Sequence, residues 1–122
     1  MPQQTYKTKW LARFTRREGI ADADLLEAIE RAELGLVDAD LGSGLIKQRV
    51  ARKGKGRSGG YRMIVAYRSG ERAVFLYAFA KSDRENLTIN ELQDFREVGM
   101  KLLNAPSKET AAALDDGALE EI

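Results

Sequence analysis

Between Leu45 and Lys81 the chain alternates apolar and polar residues in three runs separated by glycine, and that period of two leaves few folds open. The runs are Leu45–Ala51, Tyr61–Arg68 and Ala73–Lys81. Arg68-Ser69-Gly70-Glu71, between the last two, reads as a tight hairpin turn, because glycine takes a positive φ at no steric cost. A basic loop, Arg52-Lys-Gly-Lys-Gly-Arg-Ser-Gly-Gly60, joins the first two. The expected product is an antiparallel meander. Parity puts Lys47 and Arg49 on one face of the first strand, with Ile46 and Val50 on the other. Tyr61, Met63, Val65 and Tyr67 share one face of the second. The third strand is apolar on both faces and is expected at the sheet centre, with Phe75, Tyr77, Phe79 and Lys81 in one row.

Helical periodicity flanks the meander. Thr8 is a good N-cap for a helix carrying Trp10, Leu11 and Phe14 on one side. Arg13, Arg16 and Arg17 fall towards its end, where the macrodipole favours cations, and Gly19 stops it. A second helix starts at Asp22 or Asp24, repeats Leu25, Leu26, Ile29 and Ala32, and ends at Gly35. Residues 36–44 read as a connector. Thr88-Ile-Asn-Glu91 is a capping box for a helix with Leu92, Phe95, Gly99 and Leu102 along one stripe. Gln3–Lys7 reads as a weak first strand, 107–114 as a short helix, and 117–122 as an edge strand or a loose tail.

The expected order is β-α-α-β-β-β-α. That makes an α+β domain, with an N-terminal helical hairpin packed on a small twisted antiparallel β-sheet and a C-terminal helix. Residues 1–105 form the domain, and 106–122 a C-terminal extension that is a short helix or partly disordered. The helices are expected on one face of the sheet and the cations on the other.

A chain of 122 residues that is 43% hydrophobic fits one core. The net charge of +1 says little, but its distribution says more. Lys47, Arg49, Arg52, Lys53, Lys55, Arg57, Arg62 and Arg68 follow Asp40 with no acid among them, whereas Asp22 to Asp40 holds seven acids and only Arg31. A cationic sheet with a cationic loop attracts a polyanion, RNA or DNA first. The absence of cysteine excludes disulfides and thiolate metal sites. The absence of histidine removes the usual general base and the commonest metal ligand, so no metal or other cofactor is expected. No signal peptide or membrane span is legible, and the cytoplasm is the expected compartment.

Ser58-Gly-Gly-Tyr-Arg62, within Gly54-Lys-Gly-Arg-Ser-Gly-Gly-Tyr-Arg62, is followed by Ala66-Tyr67 and Phe79-Ala-Lys81. As a set these pieces resemble the RelE/HigB toxin superfamily of type II toxin–antitoxin systems, and most of all its HigB-like branch. The resemblance runs in element order from about Thr5 to Leu103. It implies a compact ribonuclease-like fold and cleavage of messenger RNA, usually on the ribosome. It also implies neutralisation by a cognate antitoxin of helix-turn-helix, DNA-binding type. Carried over by motif, the catalytic residues are Lys47, Arg49, Arg62 and Lys81. The chain departs from relatives in three ways. Ser82 stands where an arginine often follows the lysine, Thr88 stands near the place of a helix-borne tyrosine, and no histidine is present.

Cleavage by the RNA's own 2′-hydroxyl requires a base, stabilisation of the phosphate charge, and a proton for the leaving 5′-oxygen. Arg62 suits the second task, since a guanidinium pairs bidentately with phosphate. Lys47 or Lys81, as a neutral amine among cations, is the candidate base, and Arg49 or the second lysine supports the leaving group. Arg52, Lys53, Lys55, Arg57, Tyr61 and Arg84 are candidate RNA contacts, mostly to the backbone. Taken without the resemblance, Lys47 and Arg49 read as solvated edge-strand cations, and the aromatic residues as core. Two rival functions stay open: a ParE-like toxin that inhibits DNA gyrase without cutting RNA, and a non-catalytic RNA-binding module.

Overall fold

The computed structural model describes residues 4–52 and 56–122, with 52 and 56–59 as backbone alone. In chain order the elements are β1 (Gln4–Thr8), α1 (Lys9–Glu18), α2 (Asp22–Glu33), β2 (Ala39–Gly42), β3 (Leu45–Arg52) and β4 (Gly56–Arg68). They continue with β5 (Arg72–Ala80), α3 (Ile89–Asn104), α4 (Ser107–Asp115) and β6 (Leu119–Glu121). The fold is α+β, with the helical hairpin α1–α2 on a six-stranded, mostly antiparallel sheet.

Local chemistry sets the helix ends. The Leu11 amide donates to Thr8 Oγ1 at 3.2 Å, and Gly19 closes α1 in the left-handed region at φ 71°. Asp24 reaches back to accept from the Ala21 amide at 3.1 Å, opening α2. Thr88 and Glu91 form the expected reciprocal capping box of α3. At the other end of α3, Arg68 and Arg72 donate to the free carbonyls of Leu102, Leu103 and Ala105. Arg68 is therefore a helix clamp rather than a member of a binding face.

The strand order is β2-β3-β4-β5-β1-β6, with β1 parallel to β5 and the other neighbours antiparallel. The sheet is wider than the sequence suggests. The connector 36–44 contributes β2 at one edge, and β6 pairs with β1 at the other. The short helix expected at 107–114 is present as α4, and of the two readings of 117–122 the edge strand is the one seen, as β6.

Both faces of the sheet are covered, which corrects the expectation of helices on one face only. Leu11, Phe14, Leu25, Ala28 and Ile29 of α1 and α2 pack on Ile46, Val50, Tyr61, Met63, Val65 and Phe75. On the opposite face Leu92, Phe95, Leu102 and Leu103 of α3 meet Leu45, Ile64, Ala66, Val74 and Leu76. A strand that is apolar on both sides, as β5 is, requires two such layers. Gly99 lets α3 approach closely: a Cβ there would stand 3.1 Å from Ala66 Cβ.

The expected row along β5 is broken. Ile64 pairs with Tyr77 but Val65 pairs with Phe75, so Leu76 is an extra residue, a β-bulge. The bulge reverses the parity: Phe75 joins the α1–α2 core, while Tyr77 and Phe79 lie on the α3 side. There Tyr77 packs between Trp10 (centroids 4.5 Å apart) and Phe95 (5.2 Å).

Candidate active site

The cationic cluster begins where α3's cover of the sheet ends. In register, Lys47 pairs with Ile64 and Ile64 with Tyr77; Arg49 pairs with Arg62 and Arg62 with Phe79. Directly opposed residues share a face, and so do residues two apart along a strand. Lys47, Arg49 and Arg62 therefore lie on the α3 side, and Lys81 is the first residue after the end of β5. The Lys81 amide donates to the Gly60 carbonyl at 3.3 Å, which holds the end of β5 against β4.

Arg49 and Arg62 stand opposite one another, an arrangement that is destabilising for like charges unless anions compensate. Burial first, and Arg49 second, draw the Arg62 pKa below the ordinary guanidinium value, while Asp38 opposes them. A guanidinium in that setting gains when an anion arrives.

One compensating anion is built in. Asp38 accepts from the Arg49 amide at 2.7 Å and from Arg49 Nη2 at 3.1 Å, so one carboxylate fixes both backbone and side chain of that arginine. Arg31 lies 3.4 Å from the same carboxylate, is held by Glu27 at 2.6 Å, and donates to the Arg49 carbonyl. Burial pushes the Asp38 carboxyl up, but the Arg49 amide and guanidinium and the charge of Arg31 outweigh it and leave the pKa lowered. Asp38 is itself placed by Gln48, whose side chain is wholly buried. Gln48 Oε1 accepts from the Asp38 amide at 2.7 Å, and Nε2 donates to the carbonyls of Ala28 (2.9 Å) and Leu36 (3.2 Å). Sequence reasoning missed both residues. A glutamine in the apolar row between Ile46 and Val50 is the signal that finds Gln48, whereas Asp38 reads only as a turn residue.

The segment after β5 closes one side of the cluster. Arg84 pairs with Glu91 at 2.5 and 3.0 Å, donates to the Asn86 carbonyl at 2.9 and 3.1 Å, and lies over the Phe79 ring. That pairing, with the Thr88 amide, brings the Glu91 pKa down to about 2. Arg84, expected to contact RNA, is instead a brace between loop and helix. Lys47 Nζ stands 3.5 Å from Asn86 Oδ1.

The remaining expectations divide. Tyr61 does not face the cluster: it is 3% exposed in the α1–α2 core, meets Phe14 edge-on, and donates to Glu18 at 2.8 Å. A base cannot stack on it there. Lys53 and Lys55, and the side chains of Arg52 and Arg57, lie outside the described residues.

The arrangement is two opposed guanidiniums and one amine on one face, with one guanidinium preset by a carboxylate and Lys81 directly after the end of β5. Such a set binds phosphate and stabilises charge developing on it. Among the described residues no helix is long and apolar enough to cross a membrane. Comparison with the curated proteins finds no match. The model of the RelE toxin of the RelE/RelB toxin–antitoxin system matches residues 3–122, almost the whole chain, and the chain therefore belongs to that family.

Proposed function

We propose that this toxin is a metal-independent endoribonuclease that cuts messenger RNA on the ribosome, in the cytoplasm, and so stops translation. As a member of the family it has a cognate antitoxin as partner; the helix-turn-helix type suggested by its HigB-like motifs belongs to the proposal. The observation that carries the reading is the opposed Arg49–Arg62 pair with Lys47 on the same face.

In the proposed reaction Arg62 grips the scissile phosphate through two parallel N–H donors. Arg49, preset by Asp38, lies against the same group. Lys47 Nζ or Lys81 Nζ, acting as the base, takes the proton from the 2′-hydroxyl. The 2′-oxygen bonds to phosphorus as the bond from phosphorus to the 5′-oxygen breaks. The departing oxygen takes a proton from the other lysine, leaving a 2′,3′-cyclic phosphate and a 5′-hydroxyl. The sequence offers no histidine as a base, which fits an enzyme whose substrate is oriented by the ribosome.

The test is to express the chain without its antitoxin and map RNA ends by primer extension. Site-specific cuts in translated messages are expected, with Arg62→Ala lowering cleavage by about 10²–10³-fold at unchanged melting temperature. DNA damage without cuts would overturn the reading in favour of gyrase inhibition, and full toxicity in Arg62→Ala would remove the mechanism.

A further inference from the structure

Beside the cluster lies a small pocket of about 100 Å³, walled by Leu41, Ile64, Leu87 and Leu92, with Lys47 and Asn86 at its polar side. Its size excludes the larger ligands that fill ordinary binding clefts. Its position is the informative feature. Lys47 and Ile64 form the cross-strand pair next but one to Arg49 and Arg62, about 7 Å along the strands. A phosphate held by the two arginines would leave the base of an adjoining nucleotide within reach of the pocket.

We propose that this pocket receives a single nucleobase of the RNA next to the cut, and that the Asn86 amide reads its edge. The inference rests on the RNA-cleavage reading above and adds a specificity site to it. A base drawn out of its stack is gripped by apolar side chains against its faces and read by hydrogen bonds at its edge. The four apolar walls supply the first requirement. The Asn86 side chain, with one acceptor and two donors, supplies the second, and Lys47 Nζ stands 3.5 Å from its Oδ1.

The wall is set before any ligand arrives. Arg84 holds the Asn86 carbonyl, and Glu91 at the start of α3 holds Arg84. Arg96 donates to the Leu41 carbonyl at 2.5 and 2.8 Å, tying the β2 wall to α3. Both sides of the pocket therefore hang from one helix, which lowers the ordering cost of binding.

The experiment titrates the whole protein, carrying labelled methyl and guanidinium groups, with two oligonucleotides of equal charge. One is a trinucleotide with 2′-deoxy sugars, which cannot undergo 2′-hydroxyl attack; the other is its abasic counterpart. The base-bearing oligomer is expected to shift the methyl signals of Leu41, Ile64, Leu87 and Leu92, while both oligomers shift those of Arg49 and Arg62. Asn86→Ala is expected to weaken binding of the base-bearing oligomer by about tenfold relative to the abasic one. Leu87→Ala, which widens the pocket without altering its polar side, should lower the same ratio. Arginine shifts with silent or base-independent methyl signals would overturn the pocket assignment and leave the cleavage reading standing. No response from either oligomer would overturn the pocket assignment, while the cleavage reading is decided by the primer-extension test.

Discussion

Replacing Gln48 by leucine tests whether the arginine pair is preset by the core. The substitution keeps roughly the same shape but deletes three hydrogen bonds in a site with no solvent exposure. The Ala28 carbonyl keeps its place in the helical ladder of α2. The Asp38 amide and the Leu36 carbonyl lose the partners at 2.7 and 3.2 Å. A polar group left buried without a partner costs ~1–3 kcal/mol, and both groups lie near enough to the surface for water to recover part of that. The apolar gain from leucine is about 1 kcal/mol, so the net loss is at most about 1–5 kcal/mol, with a centre near 3 kcal/mol. At ~2.1 cal/mol/K per residue of unfolding entropy, the melting temperature should fall by about 10 °C. Urea melts would show a lower midpoint at unchanged slope. Because Asp38 loses its anchor, cleavage at a temperature where the variant is folded should fall as well. A stability loss below about 1 kcal/mol would show that water already serves these groups, and would refute the argument that Gln48 holds the Asp38–Arg49 contact in place.

Other outcomes follow from single contacts. The Glu91 carboxyl, at about 2 against an ordinary 4.5, is depressed on folding, so its pairing with Arg84 stabilises fully above about pH 4.5 and is lost as pH falls towards 2. Urea melts of Glu91→Gln should therefore differ from the parent by a constant amount at neutral pH and converge with it in that acid window; a gap independent of pH would sink the assignment. Gly99→Ala should forfeit the ~0.5–1 kcal/mol that alanine normally brings to a helix, since its Cβ would lie 3.1 Å from Ala66 Cβ. Gly99→Val should cost about 1–3 kcal/mol through overpacking, and a stabilised valine variant would show that α3 can shift outward freely.

What could be read beforehand follows from how locally each feature is determined. The face shared by Lys47 and Arg49 was legible because Ile46 and Val50 are buried, and a strand with one buried face admits one register. The hairpin turn and both threonine caps were legible because each depends on a few adjacent residues. Leu76 carries no glycine or proline to mark the bulge, so the parity switch in β5 arises from pairing with β4 and is invisible in the strand itself. The stripe on α3 shows that the helix is buried somewhere; only the meeting of Gly99 with Ala66 decides which side of the sheet it takes. Tyr61 shows the limit from the other direction. It lies within the recognised motif next to Arg62, yet adjacent residues of a strand point to opposite faces, so the motif's arginine and its tyrosine serve different layers. Adjacency in a motif therefore identifies the strand on which the chemistry is built, while the pairing partners in β3 and β5 decide which of its side chains can meet a phosphate. In this chain the row Arg49–Arg62–Phe79, on which the proposed site is built, runs across three strands, and it comes into being only when the sheet assembles.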